Sequence, residues 1–127
     1  MPPALPNPTE FELSVLRILW ERGPSTVREV HQALGARKAY TTVLSIMQIM
    51  TEKGFIVPDK SQLAFLYSVT THARRIEVQR QLVDDLVDRA FGGAAEELVM
   101  RALSSTSASK EDLEKIRKLI AKGEARK

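Results

Sequence analysis

Apolar residues recur with a helical period over most of the chain and with a period of two in one short stretch. Thr9-Glu10-Phe11-Glu12 has the form of a capping box, in which Thr9 accepts from a backbone N–H and Glu12 reaches back to the cap. Leu13, Leu16, Leu19 and Trp20 follow at helical spacing, with Trp20 predicted in the core, and Gly23-Pro24 stops the helix. Ser25-Thr26-Val27-Arg28-Glu29 is a second start signal, opening a short helix with Val27, Val30 and Leu34 inward and Gly35 at its end. Beyond the polar turn Ala36-Arg37-Lys38-Ala39, a third helix is predicted from near Thr41. Its residues Val43, Ile46, Met47 and Met50 stand at i, i+3, i+4 and i+7 and form a core-facing stripe, and Gly54 closes it. Phe55-Ile56-Val57 then reads as a strand and Pro58 to Gln62 as a turn. Leu63 to Val69 reads as a returning strand with Phe65, Tyr67 and Val69 on one face.

Three helices and a hairpin within about sixty residues form the order of a winged helix-turn-helix, whose third helix fits the major groove while the hairpin reaches the adjacent backbone. The predicted class is therefore mainly α with a small β-hairpin wing, followed by a C-terminal helical region. From Thr71 a long amphipathic helix runs to Phe91, where Gly92-Gly93 breaks it; a shorter one covers Ala94–Leu103, and Ser109 caps a last one. The expected organisation is a flexible tail at 1–8, a winged-helix domain at 9–70 and a dimerisation region at 71–127. The apolar sides of the last three helices are carried by Ile76, Leu82, Val83, Leu86, Val87 and Phe91, then Leu98 and Leu103, then Leu113, Ile116 and Leu119. So few large apolar groups do not offset the conformational entropy of some fifty-five residues standing alone. A second copy is the expected partner, since a reader with one recognition helix gains specificity from two half-sites.

Composition changes this picture little. The net charge is +3, of which residues 1–72 carry +1 and residues 73–127 carry +2, so affinity for an anionic partner must come from arrangement. No apolar run is long enough to span a membrane, and the Pro-rich start lacks the pattern of a secretion signal, which predicts a cytoplasmic protein without membrane insertion. With no cysteine there is no disulfide or thiolate site. His31 and His72 read as surface histidines, and Asp84, Asp85 and Asp88 as the polar side of the long helix, so neither metal nor cofactor is expected. No Gly-rich phosphate loop or nucleophile elbow is present, and an enzyme is not expected.

Several segments resemble a known family. Thr9-Glu10-Phe11-Glu12 through Leu19-Trp20-Glu21, Thr26 to Val30, Ala39-Tyr40-Thr41-Thr42-Val43, Glu52-Lys53-Gly54, Phe65-Leu66-Tyr67 and Phe91-Gly92-Gly93 are similar to the BlaI/MecI/CopY family of penicillinase repressors. The resemblance implies a homodimer that binds a pseudo-palindromic DNA operator and represses resistance or stress genes. It also implies release by cleavage in the dimerisation region, triggered by a membrane-bound sensor metalloprotease system. The matching bond is Arg101–Ala102, where the best-known members have Asn-Phe. The cysteine pairs of the copper-responsive branch are absent. Ile49 and Leu63 stand where the family commonly has Arg, and Glu52 where it has a basic residue, so modest affinity or an altered operator is expected.

The candidate DNA contacts are Thr41, Thr42, Ser45 and Gln48 on the polar side of the third helix, with Gln48 suited to adenine. Tyr40 joins them through its hydroxyl, and Arg28, Lys38, Lys53 and Lys60, with Arg37, flank the same face. Leu44 and Ile49 point off the core stripe, toward thymine methyl groups or another protein surface. The alternative function is a winged-helix protein-interaction module with weak or lost DNA binding.

Overall fold

The computed structural model describes residues 5–105 and 109–125. Among these, the order is α1 (Glu10–Arg22), α2 (Val27–Ala33), α3 (Tyr40–Lys53), β1 (Ile56–Asp59), β2 (Leu66–Val69), α4 (Arg75–Phe91), α5 (Ala95–Ser105) and α6 (Lys110–Ala125). Single 3-10 turns at Gly35–Arg37 and Thr71–Ala73 join α2 to α3 and β2 to α4. The chain separates into two compact units, 1–84 and 85–127, and the division falls inside α4.

The first unit is the winged helix. The predicted capping box forms: Thr9 Oγ1 accepts from Glu12 N–H while Thr9 N–H donates to Glu12 Oε1, and at the second start signal Thr26 and Glu29 make the same exchange. Val15, Leu16 and Leu19 of α1, Val27 and Val30 of α2, and Val43, Met47 and Met50 of α3 are buried together with Phe55, Ile56 and Tyr67. Ile46 and Trp20 are half-buried at the edge of this core rather than inside it. Trp20 Nε1–H donates to the Ala73 carbonyl at 2.9 Å, so its polar tip is satisfied and its rim stays open to solvent. Gly54 ends α3 with φ of 90°, a left-handed conformation that a side chain would strain, and this turns the chain straight into the wing.

Several details differ from the sequence reading. The wing strands pair antiparallel as Ile56↔Val69, Val57↔Ser68, Pro58↔Tyr67 and Asp59↔Leu66. Pro58 and Asp59 thus belong to β1, since a proline at the edge of a two-stranded sheet forgoes no essential ladder bond. The turn starts only where Asp59 Oδ1 accepts from Ser61 N–H. β2 is correspondingly shorter, and Phe65 lies outside it, exposed under the Lys60 ammonium, whereas Tyr67 is buried. The long helix begins four residues later than expected because Thr71–Ala73 turns first and buries Ala73. Val78 is buried in the winged-helix core and Leu82 packs half-buried against it, so Leu82 contributes to this unit's own core. Part of the expected flexible tail is also held. Leu5 packs on the core, and Gln81 Nε2 donates to the Leu5 carbonyl and to Asn7 Oδ1. Residues 1–4 lie outside the described residues.

In the second unit, Gly92 and Gly93 both take positive φ, and Gly93 N–H closes back onto the Val87 carbonyl, which ends α4. Ser109 caps α6 by accepting from Asp112 N–H. Leu86, Val99, Met100, Leu103, Leu113, Leu119 and Ile120 are exposed, while Val87, Phe91, Leu98 and Ile116 are half-buried; Val83, just inside the first unit, is exposed as well.

Candidate nucleic-acid interface

The burial of Val43, Met47 and Met50 fixes the phase of α3, and everything on its other side follows from that. Thr41, Thr42, Ser45, Gln48, Ile49 and Glu52 are exposed, giving a mostly polar stripe along the outer side of the helix. Leu44 does not share it. Leu44 is half-buried and packs toward the core, so only Ile49 interrupts the polar face.

The start of α3 differs from those of α1 and α2. Its cap residue is Ala39, with no side-chain hydrogen bond, whereas α1 and α2 carry full capping boxes. Thr41 and Thr42 lie inside the first turn and do not cap it. The Thr42 and Val43 N–H groups bond to the Ala39 carbonyl. The N–H groups of Tyr40 and Thr41, which have no partner within the helix, face outward at the positive end of its dipole.

Tyr40 is held from below by His31. The two rings meet edge to face at 5.7 Å, and His31 Nε2–H donates to the Lys38 carbonyl at 3.0 Å. His31 is therefore half-buried and structural, correcting its reading as a solvated side chain. An i, i+9 spacing across a turn carries no periodic signal, which is why the sequence did not show it. The wing is fixed to the same region by a two-way backbone bridge, in which Ser25 N–H donates to the Tyr67 carbonyl and Tyr67 N–H to the Ser25 carbonyl at 3.0 and 2.8 Å. Between wing and helices lies an open notch of about 590 Å³, lined by Arg28, Tyr40, Leu44, Leu63, Phe65 and Tyr67 among others. Burial and the neighbouring Tyr40 phenol push the Tyr67 hydroxyl above its ordinary value. Tyr67, which its spacing places on one face of the returning strand, is buried and also lines the notch.

The candidate cations separate into two groups. Arg28 is exposed on the notch wall, and the Lys60 ammonium lies 5.7 Å from the Phe65 ring beside it. Lys38 is exposed with its ammonium 5.7 Å from the Phe11 ring. Lys53 is not brought to this face. Its Nζ donates to Glu12 Oε2 at 2.8 Å, and Glu12 is only 2% exposed. Burial raises the Glu12 carboxyl, but the hydrogen bonds from Lys53 and from Thr9 N–H more than offset it and leave it below its ordinary value of 4.5. Among the described residues no group of three or more metal-binding side chains occurs, and no helix is long and apolar enough to cross a membrane.

Residues 8–122 match the family model described as penicillinase repressor. The chain belongs to that family. Its first relatives agree: the transcriptional regulator BlaI of Mycobacterium tuberculosis, in strains CDC 1551 / Oshkosh and H37Rv, is 31% identical over 119 residues, covering 91% of this chain and 84% of the relative. In fold, the chain is similar to the crystal structure of the transcriptional regulator Tm0710 from Thermotoga maritima, with a TM-score of 0.51, 17% identity, and coverage of 92% of this chain and 74% of that one. Penicillinase repressors are transcriptional regulators and not enzymes.

Proposed function

We propose that this penicillinase-repressor family member binds duplex DNA as a homodimer, through α3 and the wing, at a pseudo-palindromic operator whose promoter it silences. One observation carries the reading. The outer stripe of α3 is exposed, polar and uncapped at its positive end, while the wing is bolted beside it through Ser25 and Tyr67. A major groove admits such a helix. Phosphates suit the free N–H groups at its start, with Arg28, Lys38 and Lys60 as flanking charges and Tyr40, Thr41 and Thr42 as hydroxyl donors. Ser45 and Gln48, one and two turns further on, are the residues left to reach base edges. Lys53 has no part in this, because Glu12 holds it.

Dimerisation is supported by the apolar sides of α4, α5 and α6, where Leu86, Met100, Leu119 and Ile120 are exposed in a single copy. Release from DNA is by a sensor metalloprotease system that leads to cleavage in α5. Arg101 and Ala102 lie within α5, so cleavage between them requires that helix to open locally first.

The test is binding to duplexes enriched from a randomised pool, followed by titration against salt. A sequence shared between two half-sites is expected, with log affinity falling linearly against log salt. The slope should be no steeper than about −7, the value for roughly eight phosphates neutralised by a dimer. Failure of any duplex to be retained at low salt overturns the proposal. A second reading, a protein-docking winged helix, draws on the exposed Ile49 and Leu63. Ile49→Arg separates the two, since it strengthens binding to DNA under the first and breaks a protein complex under the second.

A further inference from the structure

We propose that Leu63, at the tip of the wing, is an apolar wedge for the minor groove next to the one that holds α3, and that it selects sequence by how readily a base step opens. This rests on the DNA-binding reading above and names one of its specificity determinants. Leu63 is fully exposed, at 107% of the reference area, and is the most exposed large hydrophobic side chain among the described residues. Hairpin pairing ends at Asp59↔Leu66, so Lys60 to Phe65 project as a cap beyond the sheet. The cap has a firm base, because Tyr67 is buried and doubly bonded to buried Ser25. A side chain on such an arm arrives at a defined place.

That place follows from the shared notch. Tyr40 and Leu44 of α3 line one side of it and Leu63 and Phe65 of the wing line the other, so a duplex with α3 in its major groove passes one sugar–phosphate strand between them. No carboxylate lines the notch and Arg28 does, which suits a phosphate. The wing tip on the far side of that strand faces the minor groove. Lys60 stays over Phe65 at the notch, on the side of the phosphates it flanks, leaving Leu63 foremost at the tip. Minor-groove walls are the apolar edges of deoxyribose, and leucine is among the side chains that enter between base pairs and unstack them. Pyrimidine–purine steps yield most easily to this, so the selected step is of that kind.

The experiment is parallel selection from a randomised pool of duplexes of about 30 bp by the full wild-type chain, Leu63→Ala and Leu63→Arg. The wild type is expected to enrich a pyrimidine–purine step at a fixed distance from the block read by α3. Leu63→Ala is expected to keep the block, lose the step, and bind the wild-type-selected duplex about 10-fold more weakly, with unchanged affinity for a scrambled duplex. Leu63→Arg is expected to exchange the step for an A-tract, whose narrow groove attracts the guanidinium. Because Leu63 touches so little, all three chains should melt together by circular dichroism, and Leu63→Ser provides a second truncation. If all the variants enrich the same step and bind it equally, Leu63 reads nothing and the wedge is overturned while DNA binding stands. That outcome is the one a wing tip serving a protein partner would give. If none of them enriches any sequence, the DNA-binding reading falls and takes the wedge with it.

Discussion

Aspartate in place of both Leu86 and Val87 is expected to convert the proposed dimer to a monomer and to weaken binding to a two-half-site duplex by about 100-fold or more. Both residues lie on the last turns of α4 within the second unit, Leu86 exposed and Val87 half-buried. A charged group there must lose its water on association without gaining a partner. The loss in DNA affinity follows from separating two half-site readers: once unlinked, each binds alone and the gain from a high effective concentration disappears. The winged-helix core does not include either position, so helix content and the affinity for a single half-site should be retained. Sedimentation together with fluorescence anisotropy measures both effects. Dimers that survive the double substitution would place the interface elsewhere.

The second large effect concerns the link between Lys53 and Glu12. Lys53→Met leaves a carboxylate 2% exposed with no cation, and a fully buried pair broken in this way costs roughly 3–5 kcal/mol. Here the Lys53 side chain is 35% exposed, so solvent screening reduces the expected loss to about 2–3 kcal/mol in denaturant melts. The pH dependence separates this from lost packing. In the wild type the Glu12 carboxyl titrates below its ordinary value of 4.5. Its contribution is therefore complete above that value and is lost as pH falls through the depressed one. Without Lys53 two of the influences that lower the Glu12 value are gone and the folded value rises, so acid costs the variant less than the wild type. The stability gap between the two chains should narrow below about pH 4.5. Glu12→Gln combined with Lys53→Met should recover part of the loss. A constant gap across the acid range would mean that charge pairing is not what Lys53 provides. The salt slope of DNA binding should be the same for both folded chains, since Lys53 meets no phosphate in this account.

How far the sequence carried these conclusions depends on the reach of each interaction. Capping boxes, the stripe Val43-Met47-Met50 and the stop at Gly54 are local patterns set by helix geometry, and they placed α3 and its outer face within one residue. The Lys53–Glu12 pair joins residues 41 apart. Glu12 was already explained by its cap, which occupies Oε1, and nothing in the spacing shows that Oε2 takes an ammonium. The apolar side of α4 posed a different difficulty. Val78, Leu82 and Leu86 share one helical period, but the first is buried and the second half-buried in the winged helix, while Leu86 is exposed in the next unit. Periodicity reports that a face is covered and not what covers it. The wing strands are four residues each, too short for alternation to mark their ends, so the spacing extends the returning strand over Phe65, which lies outside it.

The central claim is that the outer side of α3 enters a groove of duplex DNA, and the absence of cysteine allows it to be tested at one atom. A single cysteine at Ser45, carrying a short photoreactive group, is expected to cross-link to a selected duplex and to be displaced by excess unlabelled duplex. The same group at Glu21 on the exposed side of α1 should give no adduct. Cross-linking from Glu21 but not from Ser45, with the duplex still bound, would contradict the account.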